Sequence, residues 1–273
     1  MFAPSFRHRR WLASTFTLLL FAFFVFWVWI EESRRGDATF LTGCTLLAGV
    51  VLLILLGVRR RLPVLSLGSV SAWTQVHLYL GFFTAGVYLI HVPVVLPSGW
   101  LEGGLSLAFI AVTFSGFYGL YASRQLPKRL TAVEGEHRFD CAGLHRGQIA
   151  EAARCLLDEL QDPSAHSVLG RFYQDFLNPF FGSSPSLAYV LVPSGVRRRR
   201  LLNGLRELNR YLERDGRDTA CHFAALVRRR DDLDYQYALQ LRLRLWLVLH
   251  STLSTALLVG GIVHGVIAWR FTS

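Results

Sequence analysis

Four histidines carry most of the chemistry that this sequence can offer. "HLYLGFFTAGVYLIH" (77–91) and "HSTLSTALLVGGIVH" (250–264) each place a histidine at both ends of an otherwise apolar run, at the same fourteen-residue separation. Neutral imidazole ligates transition metals, relays protons and hydrogen-bonds between helices. An ionisable group inside a membrane-length apolar run is a functional feature by default. Along a helix, fourteen residues rise about 21 Å and turn to about 40° short of four full turns. Both histidines of a run therefore point in nearly one direction, one near each end.

The elements that must position them are membrane helices. The chain of 273 residues is 52% hydrophobic, with a mean hydropathy of +0.34, a profile of a membrane protein. Five segments approach the roughly 20 apolar residues that cross a bilayer. They run from about Trp11 to Ile30, Phe40 to Val58, Val70 to Leu96, Leu105 to Ala122 and Leu245 to Trp269. The first follows Arg7, Arg9 and Arg10, is too long for a signal-peptide core and lacks a small-residue cleavage site, so it reads as an uncleaved anchor. The expected organisation is four transmembrane helices in 1–122, a helical soluble insert over 123–240 and a fifth transmembrane helix in 241–273. The fold class is then an all-α integral membrane protein.

The net charge of +10 does not mark a nucleic-acid protein, because the arginines gather beside the apolar segments and are not interleaved with aromatics. Cys44, Cys141, Cys155 and Cys221 form no CxxC pair and no zinc spacing, and are expected as small buried groups. Cys221 precedes His222, but Asp218 stands three before Cys221, so the c-type haem attachment pattern is absent.

The polar stretch between the fourth and fifth segments is too long for a structureless loop. "GQIAEAARCLLDEL" (147–160) puts Ile149, Ala153, Leu156, Leu157 and Leu160 at helical spacing, and "RRRRLLNGLRELNRYLERD" (197–215) does so with Leu201, Leu205, Leu208 and Leu212. "NPFFGSSPS" (178–186) predicts a break between them, and the last helix of the insert is expected to run on into the fifth span. The run Arg197–Arg200 reads as a solvated or headgroup-facing patch. His8, His137, His145, His166 and His222 lie in polar segments and read as surface residues.

Arginine placement sets topology. The amino terminus, Arg59–Arg61 and the insert, with 18 Arg and Lys against 15 Asp and Glu, are the basic sides, whereas 92–104 holds no Lys or Arg and one acid, Glu102. The amino terminus and insert are then cytoplasmic and the carboxyl terminus outside, in a bacterial-type inner membrane. The third and fifth spans run parallel, which puts His77 level with His250 and His91 level with His264. Two levels of facing imidazoles form an arrangement for two stacked haems, since neutral imidazole is a good axial ligand. Gly81 and Gly86, and Gly260, Gly261 and Gly265 around His264, would let a flat macrocycle approach the backbone, or mediate close helix packing. Arg242 and Arg244 before His250, and Arg270 after His264, stand about 9–12 Å along the axis from those histidines. They are candidate propionate partners, or interfacial anchors.

The two histidine runs resemble the bis-haem cores of membrane b-type cytochromes. Their placement on the third and fifth spans is most similar to the transmembrane domain of ferric reductases and NADPH oxidases. The resemblance implies His77, His91, His250 and His264 as iron ligands and two haem b as cofactors. It covers the spans and not the insert, which those reductases replace with short loops. They also commonly carry a flavin and nicotinamide domain after the last span. No GxGxxG-type fingerprint supplies one here, so the expected electron source is a separate protein or a quinol.

The sequence thus predicts a di-haem b-type cytochrome that transfers electrons across the membrane as a subunit of a multisubunit oxidoreductase complex, in contact with membrane lipid and separate redox partners and not with nucleic acid. One alternative is a quinol or metal oxidoreductase with its own site at a haem edge, where Trp73, Gln75 and Tyr79 could line a pocket. Another is a haem-free transporter whose histidines bind metal ions or relay protons.

Overall fold

The computed structural model describes residues 6–61, 69–92, 97, 99–130 and 139–272, and no strand occurs among them. Two compact units divide the chain: Met1–Gly119 with Leu247–Ser273, and Leu120–Trp246.

The first unit is built from α1 (Phe6–Ser33), α2 (Ala38–Arg61), α3 (Val70–His91), the first part of α4 (Trp100–Leu130), and a later stretch of the chain described below. Local signals start these helices. The Asp37 carboxylate accepts the Phe40 amide at 2.8 Å at the head of α2, and Ser69 caps α3 by accepting from the Ala72 amide at 3.2 Å.

In the second unit a 3-10 turn, Phe139–Cys141, leads into α5 (Ala142–Asp158), followed by α6 (Pro163–Phe172). Asp162 caps α6, and the hydroxyl and amide of Ser164 donate to its carboxylate and hold its pKa below the usual range. A π-helical turn, Tyr173–Leu177, passes directly into α7 (Asn178–Gly182), then α8 (Leu187–Leu191) and α9 (Val196–Leu208). The expected break over 178–186 therefore begins only at Ser183. Pro179 falls in the first turn of α7, where its missing N–H costs nothing, and Phe180 and Phe181 are buried. Ile149, Ala153, Leu157, Leu201, Leu205 and Leu212 join one core with Leu169, Leu177, Phe223 and Val227. Leu156, Leu160 and Leu208 pack at its margin. Helix α9 ends at Leu208, short of the predicted 215, and Leu212 reaches the core from the connection that follows.

A single helix, α10 (Arg214–Thr272), holds both the last part of the second unit and the fifth apolar segment. Within the second unit, fully buried Arg230 faces Asp234 one turn on, and Arg146 donates to the same carboxylate at 3.0 Å while lying 4.5 Å over the Tyr237 ring. A buried charge set of this kind is satisfied by pairing or not tolerated at all.

Four of the described helices, α1, α2, α4 and α10, are long and apolar enough to cross a membrane. They mark an integral membrane protein. The expected third span is present as a helix of 22 residues that is not among these four. The helix ends at His91, and the expected continuation to Leu96 runs into residues outside those described. The cysteine expectation is corrected: Cys44, Cys155 and Cys221 are exposed, and Cys141 is half-buried. The three exposed cysteines lie on outward helix faces, where a thiol is apolar enough for lipid and small enough for water. His8, His166 and His222 are exposed, His145 is half-buried beside Gln148, and His137 lies outside the described residues.

Candidate haem-ligating histidines

The first unit brings the four histidines together as two pairs. The His77 and His250 rings lie 6.5 Å apart, centre to centre. His91 lies within electrostatic reach of His264. Since both pairs match low number with low number, α3 and the last part of α10 run parallel.

Three of the imidazoles are hydrogen-bonded through Nδ1 to a neighbouring helix, and the fourth lies near a carboxylate of one. His77 donates to the Leu53 carbonyl of α2 at 3.2 Å, and His91 meets Thr42 Oγ1 of the same helix at 3.0 Å. Thr42 already spends its own proton on the Ala38 and Thr39 carbonyls, which leaves it the acceptor from His91. On the other side His250 Nδ1 meets Ser115 Oγ of α4 at 3.1 Å, and His264 Nδ1 lies 3.9 Å from the Glu102 carboxylate. The histidines thus sit on α3 and α10, and their anchors on α2 and α4, which run antiparallel to them. A proton on Nδ1 places the lone pair on Nε2, the tautomer that ligation through Nε2 requires.

The separation of the first pair suits an iron between them. A metal–imidazole bond of about 2 Å on each side, plus about 1 Å from each nitrogen to its ring centre, puts the centres about 6 Å apart. Among the described residues no group of three or more His, Cys, Asp and Glu side chains is placed to hold a bare metal ion. Two axial imidazoles at each level are the number that a porphyrin, which supplies the other four nitrogens itself, asks of its protein.

Between the levels the unit has an apolar core. Val50, Tyr88, Phe109 and Leu257, one from each of α2, α3, α4 and α10, form its core, and the Tyr88 and Phe109 rings stack at 4.1 Å. The Tyr88 hydroxyl is satisfied by Ser106.

The glycines divide between the two roles. A Cβ on Gly86 would strike Phe21, one on Gly260 would lie 2.8 Å from Leu105, and one on Gly261 would lie 3.5 Å from Leu47. Those three serve helix packing. Around Gly81, one turn after His77, and around Gly265 nothing lies within 4 Å, so there a flat ligand has room. The sequence reading missed Gly43, where a Cβ would sit 3.1 Å from the His91 ring, and Gly116, where it would sit 3.9 Å from the His250 ring.

Of the proposed propionate partners, Arg244 stacks over Phe139 at 3.9 Å and lies 3.6 Å from Asp140, inside the second unit. Arg242 is half-buried in that unit and Arg270 is exposed at the end of α10. Tyr79 donates to the Arg10 carbonyl of α1 at 3.3 Å, and Trp73 and Gln75 are half-buried on α3. Thr42, Ser115, Glu102 and the Leu53 carbonyl are the functional groups that spacing did not reveal. Comparison of the chain with models of known protein families, with curated proteins and with solved structures found no match.

Proposed function

We propose that the chain is a di-haem b-type cytochrome, with His77 and His250 as axial ligands of one haem b and His91 and His264 as those of the other. The observation that supports this reading is the facing of His77 with His250, rings 6.5 Å apart, and of His91 with His264, with Nδ1 of His77, His91 and His250 hydrogen-bonded to two helices that bear no ligand themselves. A lone structural histidine needs one partner; histidines in matched pairs, with Nδ1 engaged by a neighbouring helix, leave Nε2 for ligation. Haem supplies a one-electron couple there, and bis-imidazole ligation leaves no open iron position, which favours electron transfer over oxygen chemistry at the metal. The chain's own work is to fix the spacing of the levels, hold the imidazole protons at Nδ1 and exclude water through the Tyr88–Phe109 core.

In this reading α3 is a fifth span, tolerated in the bilayer because its histidines face the bundle interior. The amino terminus and the second unit face the cytoplasm of a bacterial-type cell. Electrons enter from and leave to separate proteins or a quinol, within an oxidoreductase complex.

The test is the cofactor content of the detergent-purified chain. Two non-covalent b haems per chain, with low-spin bis-imidazole spectra in both oxidation states, are expected. A well-folded preparation that is colourless when made in haem-sufficient cells overturns the proposal and leaves proton relay or metal transport as the use of the histidines.

A further inference from the structure

The second unit carries a surface that its own core does not explain. Between Asp175 and Glu207 the chain contains no acidic residue, yet it contains Arg197–Arg200 and Arg206. Helix α8 is fastened from beneath: Val190 is buried, and the Tyr189 hydroxyl donates to Asp231 at 3.4 Å. That attachment turns the rest of the segment outward, leaving Leu187 78%, Leu191 67% and Val192 73% exposed, and Val196 at the head of α9 52% exposed. Two of the arginines have structural partners. Arg197 lies over the Phe180 ring at 4.9 Å, and Arg198 pairs with Asp232 at 2.9 Å. Arg199 and Arg200 are exposed and follow Val196 by three and four residues, which puts them beside it on one face of α9.

We propose that this α8–α9 surface docks on anionic phospholipid at the bilayer surface. The exposed leucines and valines enter the boundary between headgroups and acyl chains, while Arg199 and Arg200 meet the phosphates. Three observations select lipid. The apolar residues and the arginines adjoin, as an interfacial segment requires. No carboxylate of the segment opposes a negative surface. The second unit is continuous through α4 and α10 with apolar membrane helices, so the bilayer is always at high local concentration. The inference rests on membrane embedding alone and not on the haem assignment.

The test uses the full chain in vesicles of phosphatidylcholine with and without phosphatidylglycerol. A spin label is placed at Leu191→Cys, with a control at exposed Asp158→Cys, the four native cysteines being replaced by serine. With phosphatidylglycerol present, the label at 191 should be several-fold more accessible to oxygen than to a water-soluble nickel chelate, relative to the label at 158. The double variant Arg199→Glu, Arg200→Glu should bring the two positions back together. Equal accessibility in all vesicles overturns the proposal. So does a label at 191 shielded from both reagents, the result if a protein partner or a second copy covers the surface. Should the cysteine-free chain fail to fold, amide hydrogen exchange of the wild-type chain decides: slowing over 187–200 only in phosphatidylglycerol vesicles supports docking, and unchanged exchange overturns it.

Discussion

In the membrane unit the side chains turned outward are Trp11, Phe16, Leu18, Phe23, Trp27 and Trp29, while Thr42, Thr84 and Ser106 are buried. In Leu120–Trp246 the large apolar side chains Leu169, Leu177, Phe223 and Val227 lie inside and the charges of α5 and α6 are largely outside. Both units are helical, so the contrast comes from solvent and not from backbone. Lipid gives apolar side chains no reason to leave it, so helices there associate through close packing and polar contacts. Water drives apolar side chains into a core. The polar groups inside the membrane unit are accordingly the ones with a task, and the histidines with their anchors are chief among them.

The widest separation between the units should come from removing a histidine. His77→Ala and His250→Ala are each expected to lose the same haem, and His91→Ala and His264→Ala the other, halving haem per chain while the thermal unfolding of the second unit stays in place. Spectra and haem counts of the four variants check this; His77→Ala and His264→Ala behaving alike would break the pairing.

Core truncation sharpens the same contrast from the other side. Phe223→Ala should cost the second unit about 3–5 kcal/mol, whereas Phe26→Ala, on an outward face of α1, should stay within about 0.5 kcal/mol. Denaturation followed separately for the soluble and membrane signals would show it.

A smaller effect is expected at the anchors. Thr42→Val removes the acceptor of the His91 proton without removing the ligand. The pair His91–His264 should keep its haem but hold it about 10- to 100-fold less tightly, measured by haem transfer to an apo-acceptor, with the His77–His250 level unchanged.

The smallest effect is one of pH and belongs to the second unit alone. Burial, with Asp231 and Asp234 adding to it, raises the Tyr189 pKa above its ordinary value of 10.0. The folded form holds this proton more tightly than the unfolded chain does. The stabilisation is therefore complete below about pH 10 and is lost as pH rises through the folded-state value. Alkaline unfolding should be less steep in Tyr189→Phe than in the wild type.

Lengths and spacings were open to reading in the sequence, because a bilayer and a helix each impose a fixed count. Of the five spans expected from such counts, four are described helices long and apolar enough to cross a membrane, and the equal fourteen-residue spacing matches the pairing of 77 with 250 and 91 with 264. The anchors do not follow from counts, because a Thr or Ser in a membrane helix ordinarily returns its proton to its own backbone. Thr42 does this and still accepts from His91, and nothing in the order of residues distinguishes it from Thr45, which bonds only to the Leu41 carbonyl. A backbone carbonyl such as Leu53 leaves no mark in sequence at all. In the second unit the error over 178–186 came from treating Pro179 as a breaker, when its position in the first turn of α7 removed the conflict.

The order of the anchors has a consequence for biosynthesis. On the proposed reading, α2 and α3 are neighbouring spans, so His77 and His91 gain their anchors as soon as both helices have entered the membrane. Ser115 and Glu102 on α4 must wait until all of Leu120–Trp246 has been translated before their histidines arrive on α10. Domains fold as units during synthesis, the earlier ones first. A ribosome stalled within that stretch leaves a nascent chain with one histidine at each level, which cannot ligate an iron from both sides. On the proposed reading, haem capture closes the sequence of events and reports that the second unit has already been made.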